Sequence, residues 1–414
     1  MHILFVTYEF VTEKGLCGGL AHYLANISEI MAAHGHKITI LVMNNHNDIK
    51  EWKKNITVVS FVYNHIENGK KLGAYIEYFT KVNISEWLNK STAINQKIRE
   101  IDKKEKIDIV QYCGDNMSVW YRIKNIPSVV RLSSFGPWLK HACLPDSNMN
   151  SMQWLNSWES RLLLYSFLKA DAVYSPSTCV AQIVNSKLCK KIDVIESPCV
   201  IDESTVYIMD HTNKLYQQKY LLFFGSLSIL KGINVIRDSI HAILKKYPQV
   251  LFVFAGHEVN KGVVQKIMDR AGKYRERVIY LGEIREPNEL YMIIKNAYAC
   301  VLPSRADNLP NTCIEAMGLG KIVIGTYGAS FEQLIKNKES GLLIKRDSPK
   351  ALIKAVDYLM GMTEGEWSEM GKKAKESVVR MSPDKIYEQL ILFYKKVINQ
   401  KNFKKGRNKD EKNK

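Results

Sequence analysis

Short runs of β-branched and aromatic residues alternate with stretches whose apolar positions recur every three or four residues, almost from end to end of the chain. The first pattern suits strands buried on both faces, and the second suits the amphipathic helices that cover them. The alternation therefore predicts an α/β fold built on parallel sheets. In the first half, strands are expected at His2–Tyr8, Lys37–Met43, Thr57–Tyr63, Ile107–Cys113, Ser128–Ser134, Ala172–Ser177 and Lys190–Ile195. A second series, Lys219–Gly225, Gln249–Gly256, Val278–Gly282, Ala297–Pro303, Ile322–Tyr327 and Gly341–Ile344, reads as a fresh Rossmann-like unit. Helical patterns close the chain at Pro349–Met360, Glu364–Met381 and Pro383–Gln400.

A chain of 414 residues exceeds what one core usually supports. Ser197–Tyr216, with a proline, scattered polar residues and no sustained period, is where the two series part. The expected division is a first domain at 1–198, a linker at 199–216, a second domain at 217–382, a helix at 383–400 and a tail at 401–414. The tail, KNFKKGRNKDEKNK, lacks the apolar residues needed to pack and reads as a disordered, solubilising end, with membrane binding as its second reading. Asn64–Ser91 is irregular and mixes Lys70, Lys71 and Lys81 with Tyr75, Tyr78, Phe79 and Trp87. It reads as a surface insertion, with contact to a bilayer interface as the alternative.

No apolar run approaches the roughly 18 to 20 residues that span a bilayer, and the first strand begins too abruptly for a signal peptide. A cytoplasmic protein is expected. Eight cysteines form no C-x-x-C pair and most sit in apolar stretches, so neither zinc nor a disulfide framework is indicated. Lys and Arg exceed Asp and Glu by 17, which favours an anionic partner: a diphosphate, an acidic membrane surface or nucleic acid. The basic residues gather into no nucleic-acid reading module, which sets that class aside. His34 and His36 flank a glycine in a predicted turn without a third ligand in register, and no metal is expected.

In open parallel sheets, ligands bind outside the carboxyl ends of the strands. After the first strand, Gly18 and Gly19 precede a helix whose N-terminal amides suit a phosphate, although the spacing is not G-x-G-x-x-G. In FFGSLSILKGINVI, Phe223–Ile236, a strand ends at Gly225 and Lys231 opens the next helix, where an ammonium can neutralise a diphosphate. The strongest local signal is LPSRADNLPNTCIEAMGLGK, Leu302–Lys321. Asp307 and Asn308 offer caps, Pro310 suits a first helical turn, Gly320 suits a helix end, and Glu315 lies one turn inside. Amides at Asn311 and Thr312 would face phosphate oxygens, while Glu315 faces sugar or ribose hydroxyls or simply favours the positive helix end. FAGHE at 254–258 and YLGEIREPNEL at 280–290 place glycine and polar groups where a base can be framed.

The order of these sites resembles the retaining GT-B glycosyltransferases of family 4, also called glycosyl transferases group 1. The family's phosphate-binding lysine before a glycine matches Lys231 of LSILKG, and its acidic pair matches Asp307 and Glu315 of DNLPNTCIEAMGLG. The likeness extends from Gly18–Gly19 and HGHKITIL at 34–41 through SRLLLYSFLKADAVYSPS to the end of the second domain. It implies two Rossmann-like domains facing across a cleft, an acceptor domain first and a nucleotide-sugar domain second, with the last helix crossing back. It assigns Lys231 to the diphosphate, Glu315 to the donor ribose, and Asp307 with the following backbone to the transferred sugar. Gly18, Gly19, Ser226, Gly256, Ile284, Asn308, Leu309, Asn311 and Thr312 would complete the donor site. Arg131, Ser134 and Trp138, in VRLSSFGPWLKH, would touch the acceptor.

Such enzymes need neither metal nor cofactor; the donor is a nucleotide-diphosphate sugar and the acceptor a glycan or lipid-linked hydroxyl, commonly in bacterial surface polysaccharide synthesis. Peripheral contact with the inner face of the membrane accompanies that setting. The sequence departs from the family's pattern in three places. Asp307 stands where glutamate is commoner, Ser226 where many relatives carry a second diphosphate-binding arginine, and Ser133 with Ser134 where a histidine often faces the reacting centre. Arg305 is a candidate replacement for the missing arginine. These departures motivate the rival reading, a non-catalytic GT-B-like subunit that binds a nucleotide-sugar or a partner glycosyltransferase.

Overall fold

A computed structural model of the chain describes residues 1–13, 18–63, 82–114, 118–144, 147–149, 151–188, 191–201, 215 and 218–410, with side chains up to residue 403. The chain divides into two compact units. One comprises Met1–Trp138, Asn150–Pro198 and Pro383–Lys414; the other comprises Leu139–Met149 and Cys199–Ser382. Most of the linker segment and the aromatic-basic stretch up to Lys81 lie outside the described residues.

The first unit is a sheet of β1 (His2–Thr7), β2 (Lys37–Asn44), β3 (Asp48–Lys53), β4 (Ile56–Val62), β5 (Ile109–Cys113), β6 (Ser128–Arg131), β7 (Ala172–Ser175) and β8 (Asp193–Val194). Its order is β3-β4-β2-β1-β5-β6-β7-β8, parallel except for β3 on the edge. The helices beside it are α1 (Gly19–Ala33), α2 (Ile84–Lys104), α3 (Gly136–Cys143), which runs on into the second unit's segment, α4 (Trp158–Phe167) and α5 (Thr178–Asn185). β1 is buried at all six positions, and Ile3 and Phe5 pack with Ile38 and Ile40 of β2 and with Leu24, Ile27 and Met31 of α1. β3 was not expected, because DIKEWK is mostly charged; an edge strand tolerates charge, and Trp52 is held edge-on against Phe10 at 4.9 Å.

The second unit is a six-stranded parallel sheet: β9 (Lys219–Phe224), β10 (Val250–Ala255), β11 (Val278–Tyr280), β12 (Ala299–Val301), β13 (Val323–Thr326) and β14 (Leu342–Ile344), in the order β11-β10-β9-β12-β13-β14. Its helices are α6 (Ile233–Lys246), α7 (Val263–Ala271), α8 (Pro287–Asn296), α9 (Asn311–Gly318), α10 (Pro349–Met360) and α11 (Glu364–Val378). The chain order therefore reverses between β9 and β12, as it does between β1 and β5 in the first unit. Each reversal opens a crevice at the carboxyl ends of the diverging strands.

The last helix, α12 (Pro383–Asp410), belongs to the first unit. Ile386, Leu390, Tyr394 and Val397 enter that unit's core. The Tyr394 hydroxyl donates to Gln111 Oε1 at 2.6 Å, an oxygen that also accepts from the Tyr174 hydroxyl at 2.7 Å. The helix continues ten residues past the expected end at Gln400, to Asp410, and the rest of the expected disordered tail, 411–414, lies outside the described residues. Apolar anchors do run out after Val397, but Lys401 Nζ pairs with Asp171 at 2.7 Å and extends the tie to the body.

Candidate functional site

The crevice of the second unit is built first from glycine. Gly225, Gly256 and Gly282 end β9, β10 and β11, all with positive φ. Gly256 N–H donates to the Gly282 carbonyl at 2.7 Å, and a Cβ on Gly256 would stand 1.9 Å from the Gly225 carbonyl oxygen. Three strand ends are thus stacked backbone against backbone, leaving a ledge without side chains on which a planar or anionic group can approach closely.

From β9 the chain turns through Ser226, half-buried, to Lys231 and then Gly232, whose φ is 75°. A Cβ on Gly232 would fall 1.8 Å from the Pro303 carbonyl oxygen, so only glycine lets this turn touch the end of β12. Arg305 N–H donates to the Leu230 carbonyl at 2.8 Å and locks the same contact. As a result Lys231 Nζ reaches Asp307 Oδ2 at 2.5 Å, across 76 residues of sequence.

Asp307 is itself held. Ser304 Oγ donates to its Oδ2 at 3.4 Å, and Ser330 Oγ donates to its carbonyl at 2.7 Å. Ser330 adopts a left-handed backbone, φ 65°, in the turn after β13. Nothing in the sequence pointed to Ser330, because its role depends on β13 lying beside β12. Ser330→Ala is expected to lower the stability of the protein by about 1 kcal/mol, by removing the hydrogen bond that holds the Asp307 carbonyl. Thermal unfolding measures the loss.

α9 begins at Asn311, with Pro310 as its N-cap residue. Asp307 therefore does not stand at the cap as expected but faces Lys231, and the buried Leu309, at φ 61°, turns the chain between Asp307 and the helix. Thr312 stands beside Gly225, where a Cβ on the glycine would meet its methyl group at 3.6 Å. Glu315, one turn into α9 and half-buried, has no hydrogen-bond or ion-pair partner among the described residues. Burial pushes its carboxyl up to about 7. Ile284, half-buried in the segment after β11, packs against the same core layer as Ile314. Lys231, Asp307, Thr312 and the glycine ledge thus stand together in this crevice, with Glu315 on the helix that borders it.

Other expectations are corrected. Arg305 does not replace the arginine missing at Ser226: its guanidinium is buried, pairs with Asp347 at 2.8 Å, and donates to the carbonyls of Ala142 at 2.7 Å, Leu144 and Ser147. It fastens the segment Leu139–Met149 within the second unit. In the first unit, the α1 N-terminus beside Gly18 and Gly19 already has its anion. The Glu9 carboxylate accepts the backbone N–H of Ala21 at 3.0 Å, together with those of Leu20 and Gly18, while burial raises its pKa.

Arg131 is only 4 % exposed and lies over the Tyr23 ring at 3.6 Å, donating to Ser133 at 2.8 Å and Ser197 at 3.1 Å, which is the arrangement of an internal brace. Trp138 is 3 % exposed and displays no face for a sugar to stack on. Ser134 remains half-buried after β6.

Comparison with known proteins follows this geometry. Residues 208–377 match the family described as glycosyl transferases group 1. An uncharacterized glycosyltransferase of Haemophilus influenzae is 25 % identical over 189 residues, 45 % of this chain and 51 % of that protein. A phosphatidyl-myo-inositol mannosyltransferase of Mycobacterium tuberculosis is 22 % identical over 152 residues, 36 % of this chain and 39 % of that protein. The chain thus spans about half, or less, of the length of the curated relatives it matches. Among solved structures, sucrose-phosphate synthase from Thermosynechococcus elongatus superposes with a TM-score of 0.72 at 18 % identity, covering 96 % of this chain and 99 % of that one. The Lys231–Asp307–Glu315 crevice lies inside the matched stretch, so the second unit is similar over residues 208–377 to the glycosyl transferases group 1 family, and the chain has a GT-B fold.

Proposed function

We propose that the protein is a retaining glycosyltransferase that takes a sugar from a nucleotide-diphosphate donor and passes it to a hydroxyl of a glycan or lipid-linked acceptor. The observation that carries this reading is the crevice itself: one ammonium, Lys231, fixed by Asp307 at the mouth of a side-chain-free ledge and beside the N-terminus of α9. In this reading the ledge takes the base and ribose, Glu315 accepts the ribose hydroxyls, and Lys231 with the α9 amides holds the diphosphate. Charge on the leaving phosphate grows as the glycosidic bond breaks, and fixed donors aimed at it lower the barrier without reorganising. Retention then follows from attack on the face the phosphate leaves, with that phosphate taking the acceptor proton.

A lipid-linked acceptor is supported by the name of the mycobacterial relative, a phosphatidyl-myo-inositol mannosyltransferase. Synthesis of a surface polysaccharide at the inner face of the membrane is the setting that fits. Among the described residues no helix is long and apolar enough to cross a membrane, so in this reading the protein meets its acceptor peripherally.

The non-catalytic reading keeps one point in its favour, since neither Ser226 nor the engaged Arg305 gives Lys231 a second cation beside the donor. Thermal unfolding against UDP, GDP, ADP and their sugar conjugates, followed by assay of the stabilising conjugate for transfer, separates the two. Selective stabilisation by one nucleotide of about 2 to 3 kcal/mol at saturating concentration is expected, with release of the diphosphate on adding acceptor. Stabilisation without turnover supports a non-catalytic subunit that binds a nucleotide-sugar, and no stabilisation by any nucleotide overturns the transferase reading in favour of a non-catalytic subunit that binds a partner glycosyltransferase.

A further inference from the structure

Three elements of the first unit meet at the turn from α1 to β2, His34–Gly35–His36. Gly35, at φ 80°, closes the turn, donating its N–H to the Ala32 carbonyl while His36 N–H donates to the Met31 carbonyl. The reversal brings both imidazoles to one aromatic ring, that of Tyr387 in the first turns of α12. His34 stacks on it at 3.7 Å with 15° between the planes, and His36 lies tilted beside it at 5.8 Å. His36 Nε2 stands 3.0 Å from the Tyr387 hydroxyl, and its Nδ1 stands 3.1 Å from the Met1 nitrogen, just before β1.

The bonding roles follow from the partners. The Met1 nitrogen has only hydrogens to offer, so Nδ1 accepts, the proton of the neutral ring sits on Nε2, and Nε2 donates to the Tyr387 oxygen. A second proton on His36 would set donor against donor at Nδ1. It would also place a charge among cations: the Met1 amino group, His34 at the end of α1 and Lys395 on α12 oppose it. Asp108, before β5, favours it, but that carboxylate already accepts the His2 N–H at 2.7 Å. Burial first, and then those cations, hold the His36 pKa below the usual 6.5. His34 responds with the opposite sign, since its Nε2 lies 3.9 Å from Asp384 on α12; both groups are exposed, and such a pair contributes little.

We propose that His36 is a proton-sensitive latch on the first turn of α12: it is closed while the ring is neutral and accepts from Met1, and it opens when protonation drives the ring from Met1 and from Lys395. The turn it holds is where the chain, leaving the second unit at Ser382, re-enters the first at Pro383. The released ring takes up a proton more readily than the latched one, so the latch holds above the usual histidine range and weakens as pH falls through 6.5. It stands outside the donor crevice and needs no substrate for its test.

Amide hydrogen exchange of the full chain, corrected for the intrinsic effect of pH, reads the latch in the peptide Ile386–Leu390. Wild-type protection there is expected to fall about fivefold between about pH 7.5 and about pH 5.5, the equivalent of one hydrogen bond. His36→Gln carries an amide that accepts and donates as the neutral ring does but takes up no proton, so its protection should be the same at both. Tyr387→Phe keeps the ring under His34 and loses only the hydroxyl; at the higher pH it should be as weakly protected as wild type is at the lower. Glu315 titrates in the same range, so variants are compared with wild type at each pH, which cancels its contribution. Equal wild-type protection at both pH values would overturn the inference, as would Tyr387→Phe protected like wild type at the higher pH. A fall that persists in His36→Gln would assign the response to His34 and overturn it too.

Discussion

Lys231→Ala is expected to lower turnover by about 100- to 1000-fold, the usual cost of removing one fixed donor from a developing oxyanion. The expectation is this large because neither of the two positions where a second cation was sought supplies one. Ser226 occupies the position where a second cation would sit, and Arg305 is bound by Asp347 and by the carbonyls of Ala142 and Leu144. The donor's Michaelis constant should rise as well, since an ammonium that stabilises the leaving diphosphate also binds it before the bond breaks. The fold should lose little, because the Lys231–Asp307 pair is partly exposed. Nucleoside diphosphate release in steady state, with melting temperature as the control for folding, measures the effect. Turnover equal to wild type would remove Lys231 from the mechanism and leave the crevice a binding site only.

Much of this site was legible because its chemistry is local. A glycine after a strand, a lysine before a glycine and a carboxylate one turn into a helix are each spelled in fewer than twenty consecutive residues, and the strand order then brings the pieces together at β9 and β12. The parallel strands were legible for a related reason: chains buried on both faces must be apolar throughout. What the sequence hid depends on partners far along the chain. Ser330 matters through the Asp307 carbonyl, and Arg305 is unavailable because Ala142, Leu144, Ser147 and Asp347 engage it.

Glu9 shows the same limit from the other side. A helix N-terminus after a glycine pair reads as an anion site, and so it is, but the anion is the protein's own carboxylate, supplied from ten residues upstream of Gly19. β3 escaped notice because an edge strand is allowed the charges that a central strand is not.

Glu315→Gln should make the protein more stable at pH 8 and a poorer nucleotide binder, a combination that a merely structural residue would not give. The carboxyl titrates at about 7 in the folded chain against 4.5 ordinarily, because burial disfavours its charge and no cation offsets the cost. Between those values the folded protein holds a proton that the unfolded chain has released, so stability falls as pH rises through that window and the loss is complete above 7. At pH 8 the ionised carboxylate weakens the fold by at most about 3 kcal/mol. Glutamine removes that penalty, and the melting temperature should rise by roughly 5 °C or more at pH 8 while staying near wild type at pH 4.5.

Binding runs the opposite way. Ribose hydroxyls donating to Glu315 favour its charged form, so wild-type nucleotide affinity should fall about tenfold for each pH unit below 7 and the glutamine variant should bind weakly at every pH. A variant that is neither stabilised at pH 8 nor weakened toward nucleotide would show that Glu315 is solvated and idle. Stabilisation without loss of binding would move the ribose to another partner on the ledge. Both effects together would mean that the fold carries a destabilising buried charge at the one place where a sugar hydroxyl can satisfy it.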